Sequence, residues 1–417
     1  MHMKHIQHSD PVIAGFIMQE IRRQEEGLEM IPSENNTSLA VMEAVGSPLT
    51  DKYSEGYAGK RYYGGNEFID KIEIEAIDRA KRLFGADHAN VQSHSGSDAN
   101  LAAYLAVMNP GDTFLGMDLT CGGHLTHGHK VSAVSRIFRP VQYKVDKKTE
   151  LLDFDEIAAL AREHKPKVIV AGATAYPRTI DFAKFGEIAA EVGAKLVADL
   201  SHIAGLVVTG VHPHAFPYAD IITTTTHKTL RGPRGAMILC KAELGQAIDK
   251  SVMPGLQGGP LDHVIAGKAV AFGEALQPGF KHYAQQIVKN AKVLEQVFAA
   301  AGLRLVTGGT DNHLLLVDVT PLSLTGKKAQ NILGSVGITV NKNTVPFDTR
   351  TPFDPSGVRL GTPSLTTRGM KEDDMKKVGD LIVRALTKAH DEAALELVRG
   401  EVRELAKQFP IHPELLA

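Results

Sequence analysis

The chain has 417 residues, with 46 Lys and Arg against 48 Asp and Glu for a formal charge of −2, and 43% hydrophobic against 23% charged residues. At ~150 residues per domain, that length predicts two to three domains, or one large α/β domain with an appendage, while the composition excludes a disordered chain and the charge excludes a broad basic surface for nucleic acid. Two cysteines, Cys121 and Cys240, exclude a disulfide framework and point to a reducing compartment; with no apolar run of ~18 residues and no signal-like start, a soluble, cytoplasmic protein is expected.

His2, His5 and His8 open the chain and read as an exposed tail with no role. From Pro11 to Gly27, Ile13, Phe16, Ile17 and Ile21 recur at helical spacing among charges at Glu20, Arg22 and Arg23, which predicts a helical arm with an apolar face to cover. Between about 85 and 240, short apolar runs alternate with helical periods. Strands are expected at Ala89–Gln92, Lys167–Ala171, Lys195–Ala198, Ile221–Thr224 and Ala236–Cys240, and helices at Asp98–Met108 and Phe182–Val192. Near-continuous apolar strands separated by helices indicate a mostly parallel sheet covered on both faces, where ligands bind outside the carboxyl strand ends. After the turn-rich Pro254–Pro260 and Pro278-Gly279, a long helix carries Tyr283, Ile287, Leu294 and Phe298 on one face and leads into a second, α+β region. That region is expected to hold strands at Leu303–Val306, His313–Val319 and Gly337–Val340, and charged helices from Lys371 to Phe409.

Three constellations lie at the predicted strand ends. The β-branched run Ile221–Thr226 leads straight into His227-Lys228 and then a Gly/Pro turn, so Lys228 is a candidate Schiff-base amine at a carboxyl strand end. Upstream, Asp199 ends the run Lys195–Asp199, with His202 three residues on; a carboxylate there can keep a pyridine nitrogen protonated and make pyridoxal phosphate an electron sink. Between a strand and a helix, His94-Ser95-Gly96-Ser97-Asp98 offers hydroxyls, a tight turn and free amides to a phosphate, without the lysine of a nucleotide P-loop.

The longer runs Tyr53-Ser-Glu55-Gly-Tyr-Ala-Gly-Lys-Arg61-Tyr-Tyr63-Gly-Gly, Gly122-Gly-His124-Leu-Thr-His127-Gly, Thr223-Thr-Thr-Thr-His-Lys228-Thr and Arg359-Leu-Gly-Thr-Pro resemble the serine hydroxymethyltransferase family, over essentially the whole chain. The resemblance implies the fold type I of pyridoxal-phosphate-dependent transferases: an N-terminal arm at 1–52, a large cofactor domain at 53–279 with a mostly parallel seven-stranded sheet, and a smaller α+β domain at 280–417. It implies a reversible transfer of the serine hydroxymethyl carbon to tetrahydrofolate, giving glycine and 5,10-methylenetetrahydrofolate.

By the same resemblance, Lys228 carries the cofactor aldehyde, Asp199 pairs with the ring nitrogen, His124 stacks on the ring and His202 lies near the ring hydroxyl. Ser95, Gly96, Ser97 and His227 hold the phosphate with Tyr53 and Gly259, and Thr174 stands where many relatives have serine. Arg359 is the fork for the substrate carboxylate, aided by Ser33; Glu55 is the proton shuttle at the substrate hydroxyl, with Tyr53 and Tyr63 beside it and His202 near the substrate. Folate contacts fall to Glu55, Tyr62, Leu119, Leu125 and Asn343, and Arg234 to cofactor orientation. Because Glu55, Tyr53, Tyr63 and Gly259 reach over from a second subunit in the family, a homodimer or tetramer is implied, with no nucleic-acid or membrane partner.

His124, His127 and His129 also suit a zinc site, but no further Cys or acid stands at ligand spacing, and no metal is expected. The chain departs from the commonest family pattern at Cys121, at Pro32 and over His129–Arg136. These departures leave substrate detail open, with transfer from α-methylserine to give D-alanine and a folate-independent aldolase for β-hydroxy amino acids as rivals; a different class of reading is a non-catalytic binding protein on this scaffold, such as an RNA-binding regulator. The last is opposed by the presence of Lys228, Asp199, Arg359 and Glu55 together.

Overall fold

The computed structural model describes residues 4–415, so His2 lies outside the described residues. The chain divides into two compact units, residues 40–285 and residues 1–39 with 286–417.

The larger unit is built on seven strands: β1 (His88–Asn90), β2 (Thr113–Met117), β3 (Arg139–Tyr143), β4 (Val168–Gly172), β5 (Lys195–Asp199), β6 (Ile221–Thr225) and β7 (Ala236–Cys240). They lie in the order β1-β7-β6-β5-β4-β2-β3. Strands β2 to β6 pair in parallel, and β7 runs antiparallel between β6 and β1. Every residue of β4, β6 and β7 is buried, the signature of central strands covered on both faces. One covering helix, Gly96–Val107, turns Ala99, Ala102, Ala103 and Tyr104 into the core shared with Phe114, Val168, Val197 and Ile221. The helix Phe182–Val192 forms where its periodicity predicts, with the Asp181 side chain accepting from the Lys184 backbone N–H to cap its first turn.

Two of the seven strands, β2 and β3, have no counterpart among the sequence expectations. Gly116 interrupts the apolar run of β2, and β3 opens Arg-Pro and contains Gln142, so neither stands out by composition; pairing with each other makes them strands. The expected helix Asp98–Met108 begins two residues earlier, at Gly96, because Ser95 has extended dihedrals (φ −144°, ψ 164°) and its Oγ accepts from the Asp98 N–H.

The smaller unit holds a four-stranded antiparallel sheet of β8 (Arg304–Leu305), β9 (Leu314–Asp318), β10 (Asn341–Asn343) and β11 (Gly357–Gly361), in the order β8-β9-β11-β10. Helices Gly326–Ser335, Glu372–Thr387 and Glu392–Lys407 belong to the same unit, and their core includes Leu333, Val378, Leu381, Val398 and Val402 with Leu315 and Val317 of β9. Leu28 and Glu29 pair in parallel with Ile338 and Thr339, which ties this N-terminal segment into the unit. The preceding helix, Pro11–Glu26, buries only Ala14 and leaves Val12, Ile13, Phe16 and Ile17 exposed. In the long helix Pro278–Ala300, Ala291, Leu294 and Phe298 are fully buried in the core of the smaller unit at steps of three and four. Replacing Phe298 by alanine removes an aromatic ring from that core and is expected to destabilise the unit by about 3–5 kcal/mol, read as a lowered urea midpoint at unchanged secondary structure.

Candidate active site

The adjacent strands β5 and β6 bring the principal groups together. Asp199 ends β5 and is in register with Gly172 of β4 on one side and Thr223 of β6 on the other. Beyond β6 the chain makes a turn before returning as β7: Thr226 Oγ1 donates to the Pro233 carbonyl at 2.6 Å, the Gly232 N–H to the Thr226 carbonyl, and the Arg231 N–H to the Lys228 carbonyl. This turn presents Lys228 at the carboxyl end of the sheet. Thr229 Oγ1 accepts from the Gly205 N–H and donates to the His202 carbonyl, tying the Lys228 turn to the loop that follows Asp199. The run Thr223–Thr226 is wholly buried, and each hydroxyl is hydrogen-bonded: Thr223 to Asn100, Thr224 to its own strand, Thr225 to Ser201 and Thr226 to Pro233.

Asp199 is 8% exposed and fully equipped to stay ionised. Its Oδ2 accepts from Asn100 Nδ2 at 2.9 Å and lies 3.0 Å from His127 Nε2, while its Oδ1 accepts from the Ser201 N–H. The His124 N–H donates to His127 Nδ1, which leaves the ring hydrogen of His127 on Nε2 and makes that nitrogen the donor to Asp199. Burial pushes the Asp199 carboxyl up, but the hydrogen bonds from His127 and the Asn100 amide outweigh it and hold the group far below the usual carboxylate range. Neither Asn100 nor His127 was singled out by sequence as a partner of Asp199. The available signal was weak: Asn100 stands one helical turn after Gly96, and His127 stands inside the Gly122–Gly128 motif.

His124 caps the short turn Leu125–His127, with its Nδ1 2.8 Å from Thr126 Oγ1 and its ring 5.8 Å from that of His127. Burial, against the opposing charge of Asp199, pulls its imidazole down to about 4; burial and then Arg234 and Lys228 pull His227 down to about 3. Both rings are therefore neutral at physiological pH. The Thr174 N–H donates to the Gly122 carbonyl at 2.7 Å, and Gly122 itself has φ +107°, which places Thr174 beside the His124 loop.

A second cluster stands on the same unit. Tyr53 Oη donates to Glu55 Oε1 at 3.1 Å, and the rings of Tyr53 and Tyr63 meet edge to face at 5.0 Å. A Cβ on Gly258 would lie 2.8 Å from Glu55 Oε1 and one on Gly259 3.1 Å from the Tyr53 ring, so these glycines admit the two side chains. Arg61 Nη1 donates to the carbonyls of Ser54 and Gly56, on either side of Glu55, while its other nitrogens bind Asp70 and Glu73. Tyr62 and Leu125 are exposed and Leu119 is half-buried. Arg359, Ser33 and Asn343 belong to the smaller unit. There Arg359 lies on β11, its Nε donates to Asn341 Oδ1 at 3.1 Å, and burial lowers its guanidinium to about 10; Asn343 lies on β10, and Ser33 is half-buried.

A phosphorylated pyridine fits this constellation. A Cβ on Gly96 would lie 2.8 Å from Thr225 Cγ2, so the residue must be glycine for the helix start to sit against β6 with its amides available to an anion. Asp199 accepts three hydrogen bonds within the chain, leaving capacity on a carboxylate for one more donor such as a protonated ring nitrogen. The buried Nδ1 of His227 has no hydrogen-bond partner among the described residues.

A profile of the serine hydroxymethyltransferase family matches residues 6–382. The chain belongs to the serine hydroxymethyltransferase family. Among curated relatives, the serine hydroxymethyltransferase of Myxococcus xanthus is 58% identical over 98% of this chain and 97% of its own length. That of Acidobacterium capsulatum is 57% identical over 97% and 95%, and that of Rhodopirellula baltica 58% identical over 98% and 97%. The fold is the type I fold of pyridoxal-phosphate-dependent enzymes that the family shares, with the seven-stranded, mostly parallel sheet described above.

Of the departures from the common serine hydroxymethyltransferase pattern, Cys121 is 3% exposed and ends the turn Leu119–Cys121 ahead of Gly122, with its thiol pushed up by burial. Because His124 and His227 are neutral when buried, the unfolded chain binds more protons than the folded one below the ~6.5 of a free imidazole. Stability is therefore fully present above about pH 6.5 and falls as pH drops toward their folded values, by at most about 1.4 kcal/mol per pH unit for each group. Urea melts of the cofactor-free protein at pH 7 and pH 5 check this, and His124→Asn is expected to lose less stability between the two.

Proposed function

We propose that the protein reversibly transfers the hydroxymethyl carbon of L-serine to tetrahydrofolate, giving glycine and 5,10-methylenetetrahydrofolate, as a pyridoxal-phosphate-dependent enzyme of the cytoplasm. The observation that carries the reading is the buried, ionised Asp199 at the end of β5, one strand from the turn that bears Lys228. The family supplies the chemistry that this pair serves. The full-length relatives named serine hydroxymethyltransferase support the substrate.

Bound pyridoxal phosphate would withdraw electrons from the substrate Cα. Lys228 would hold its aldehyde, Asp199 the proton on its ring nitrogen, and neutral His124 one ring face, with Thr174 and His202 toward the ring hydroxyl. Ser95, Gly96, Ser97 and His227 would hold the phosphate, together with Tyr53 and Gly259 of a second copy. Arg359 takes the substrate carboxylate through its two-pronged guanidinium, with Ser33 beside it, and Glu55 moves the proton of the substrate hydroxyl. Tyr63 assists Glu55, while Tyr62, Leu119, Leu125 and Asn343 line the folate entrance and Arg234 supports cofactor orientation. We assign the large cofactor domain to 53–279, the smaller domain to 280–417 and the arm to 1–52.

A homodimer with shared sites accounts for two features. Tyr53, Glu55, Tyr63 and Gly259, which the resemblance assigns to the neighbouring subunit's site, cluster with one another. Tyr53, Tyr62, Tyr63 and Phe68 are exposed, as are Val12, Ile13 and Phe16 of the N-terminal helix, leaving apolar surface for a second copy to cover.

The purified protein is expected to absorb visible light, to lose that absorbance on borohydride reduction, and to form glycine from serine only with tetrahydrofolate. Glycine formation indifferent to folate would support an aldolase, and a preference for α-methylserine over serine the D-alanine branch. Lys228→Ala is expected to lose the borohydride-sensitive absorbance. Mixing inactive Lys228→Ala with inactive Glu55→Gln under subunit exchange should restore about a quarter of wild-type activity, since half the dimers then carry one intact site; no recovery would contradict a site shared between subunits.

A further inference from the structure

Lys268 is 1% exposed, on the helix Asp262–Ala275, and it makes no ion pair among the described residues. Its Nζ donates to the backbone carbonyls of Val91 at 2.6 Å, Ser93 at 3.1 Å and Ala236 at 2.7 Å. Three acceptors require three donors, which an ammonium has and a neutral amine lacks, so the geometry is that of a buried cation. Gly235 is backbone against its stem: a Cβ there would lie 2.7 Å from Lys268 Cε.

The three carbonyls are informative. Val91 and Ser93 belong to the segment that links β1 to Ser95, and Ala236 opens β7, immediately after the turn that bears Lys228. The Ser93 carbonyl also accepts from the Ala236 N–H, and the next residue, His94, donates its N–H to Gln257 Oε1. The segment leading into Ser95-Gly96-Ser97 is thus held by the Lys268 ammonium, the Ala236 N–H and the Gln257 side chain, whose Nε2 also donates to the Gln92 carbonyl. The groups assigned above to the cofactor phosphate are themselves uncharged: serine hydroxyls, backbone amides and His227, which burial keeps neutral and on which the charges of Arg234 and Lys228 act. Within the turn the Ser95 Oγ donates to Asp98 Oδ2 at 2.9 Å, and at His94, beside Ser95, the charge of Lys268 opposes that of Asp98; a phosphate dianion there needs the same opposition.

We propose that Lys268 is a positioning residue for the cofactor phosphate: from behind the Val91–His94 segment its ammonium fixes the Ser95–Ser97 turn and adds, through polarised backbone, positive charge to that of Arg234 and Lys228. Burial lowers this amine to about 7, with Glu73 the one group that raises it, and a bound phosphate dianion would favour its charged form. The proposal rests on the pyridoxal phosphate reading above and goes beyond it in naming a buried residue that positions the phosphate turn.

The test compares pyridoxal 5′-phosphate with pyridoxal, which lacks the phosphate, by absorbance titration of the cofactor-free full-length protein. Wild type should bind the phosphorylated form far more tightly; an equal affinity for the two would contradict the cofactor assignment itself, not Lys268. In Lys268→Met, and in Lys268→Gln, which keeps an amide donor without charge, affinity for pyridoxal 5′-phosphate should fall by about ten-fold or more while that for pyridoxal is unchanged. An unchanged phosphate preference, a parallel loss of both ligands, or failure of both variants to fold would each overturn the proposal and leave Lys268 a structural residue.

Discussion

An ionised carboxylate buried at the end of a parallel strand is the constraint around which the larger unit is organised. Left alone, Asp199 would take up a proton, because burial disfavours its charge. It stays ionised because three donors from three different elements converge on it: Asn100 from the helix Gly96–Val107, His127 from the glycine-bounded turn, and the Ser201 amide from its own loop. Each donor is itself fixed by a further bond. Thr223 of β6 donates to the Asn100 side-chain oxygen, the His124 amide sets the tautomer of His127, and Ser201 receives the Thr225 amide. The strand order β4-β5-β6 makes this convergence possible, since it places Asp199 between neighbours whose ends face the same side of the sheet.

In the proposed reading, the same network lets the helix Gly96–Val107 serve two ends of one ligand. Its first residue presents free amides against β6, and Asn100, one turn on, reaches the carboxylate. A phosphate and a ring nitrogen separated by the length of a pyridine derivative can then be held by one rigid element rather than by independent loops. Neutral His124 and His227 are consistent with this division of labour: burial removes their charge and leaves them as flat surface and neutral hydrogen-bonding groups. Two buried charges of the larger unit are themselves anchored, Asp199 by its donors and Lys268 by its three carbonyls.

Legibility in the sequence followed physical distinctness. Strands β4, β6 and β7 are dense in β-branched or apolar residues and buried on both faces, so their pattern announces them; β2 and β3, with Gly116, Pro140 and Gln142, depend on mutual pairing, a long-range fact. The helix Gly96–Val107 starts two residues before the Asp98 that its periodicity suggests, because Ser95 and Asp98 both suit a cap and only the extended backbone of Ser95 distinguishes them. Lys228 and Asp199 were legible because each ends a recognisable strand. Lys268 was not: in sequence it is an ordinary lysine on a helix, and nothing local says that its amine is enclosed by carbonyls from β7 and the segment after β1.

By itself, then, the sequence determined the fold class, the family and the candidate chemical groups, since these reside in strand patterning and in long ordered motifs that survive without coordinates. Only the tertiary structure decided which groups support which: that Asn100 and His127 keep Asp199 charged, that Arg61 grips the chain on both sides of Glu55, and that Lys268 lies behind the Val91–Ser93 segment. The physical reason is that a charge is set by its surroundings. Whether a buried carboxylate, imidazole or ammonium keeps its proton depends on donors and acceptors brought from distant parts of the chain, and their convergence is a property of packing, not of any local run of residues.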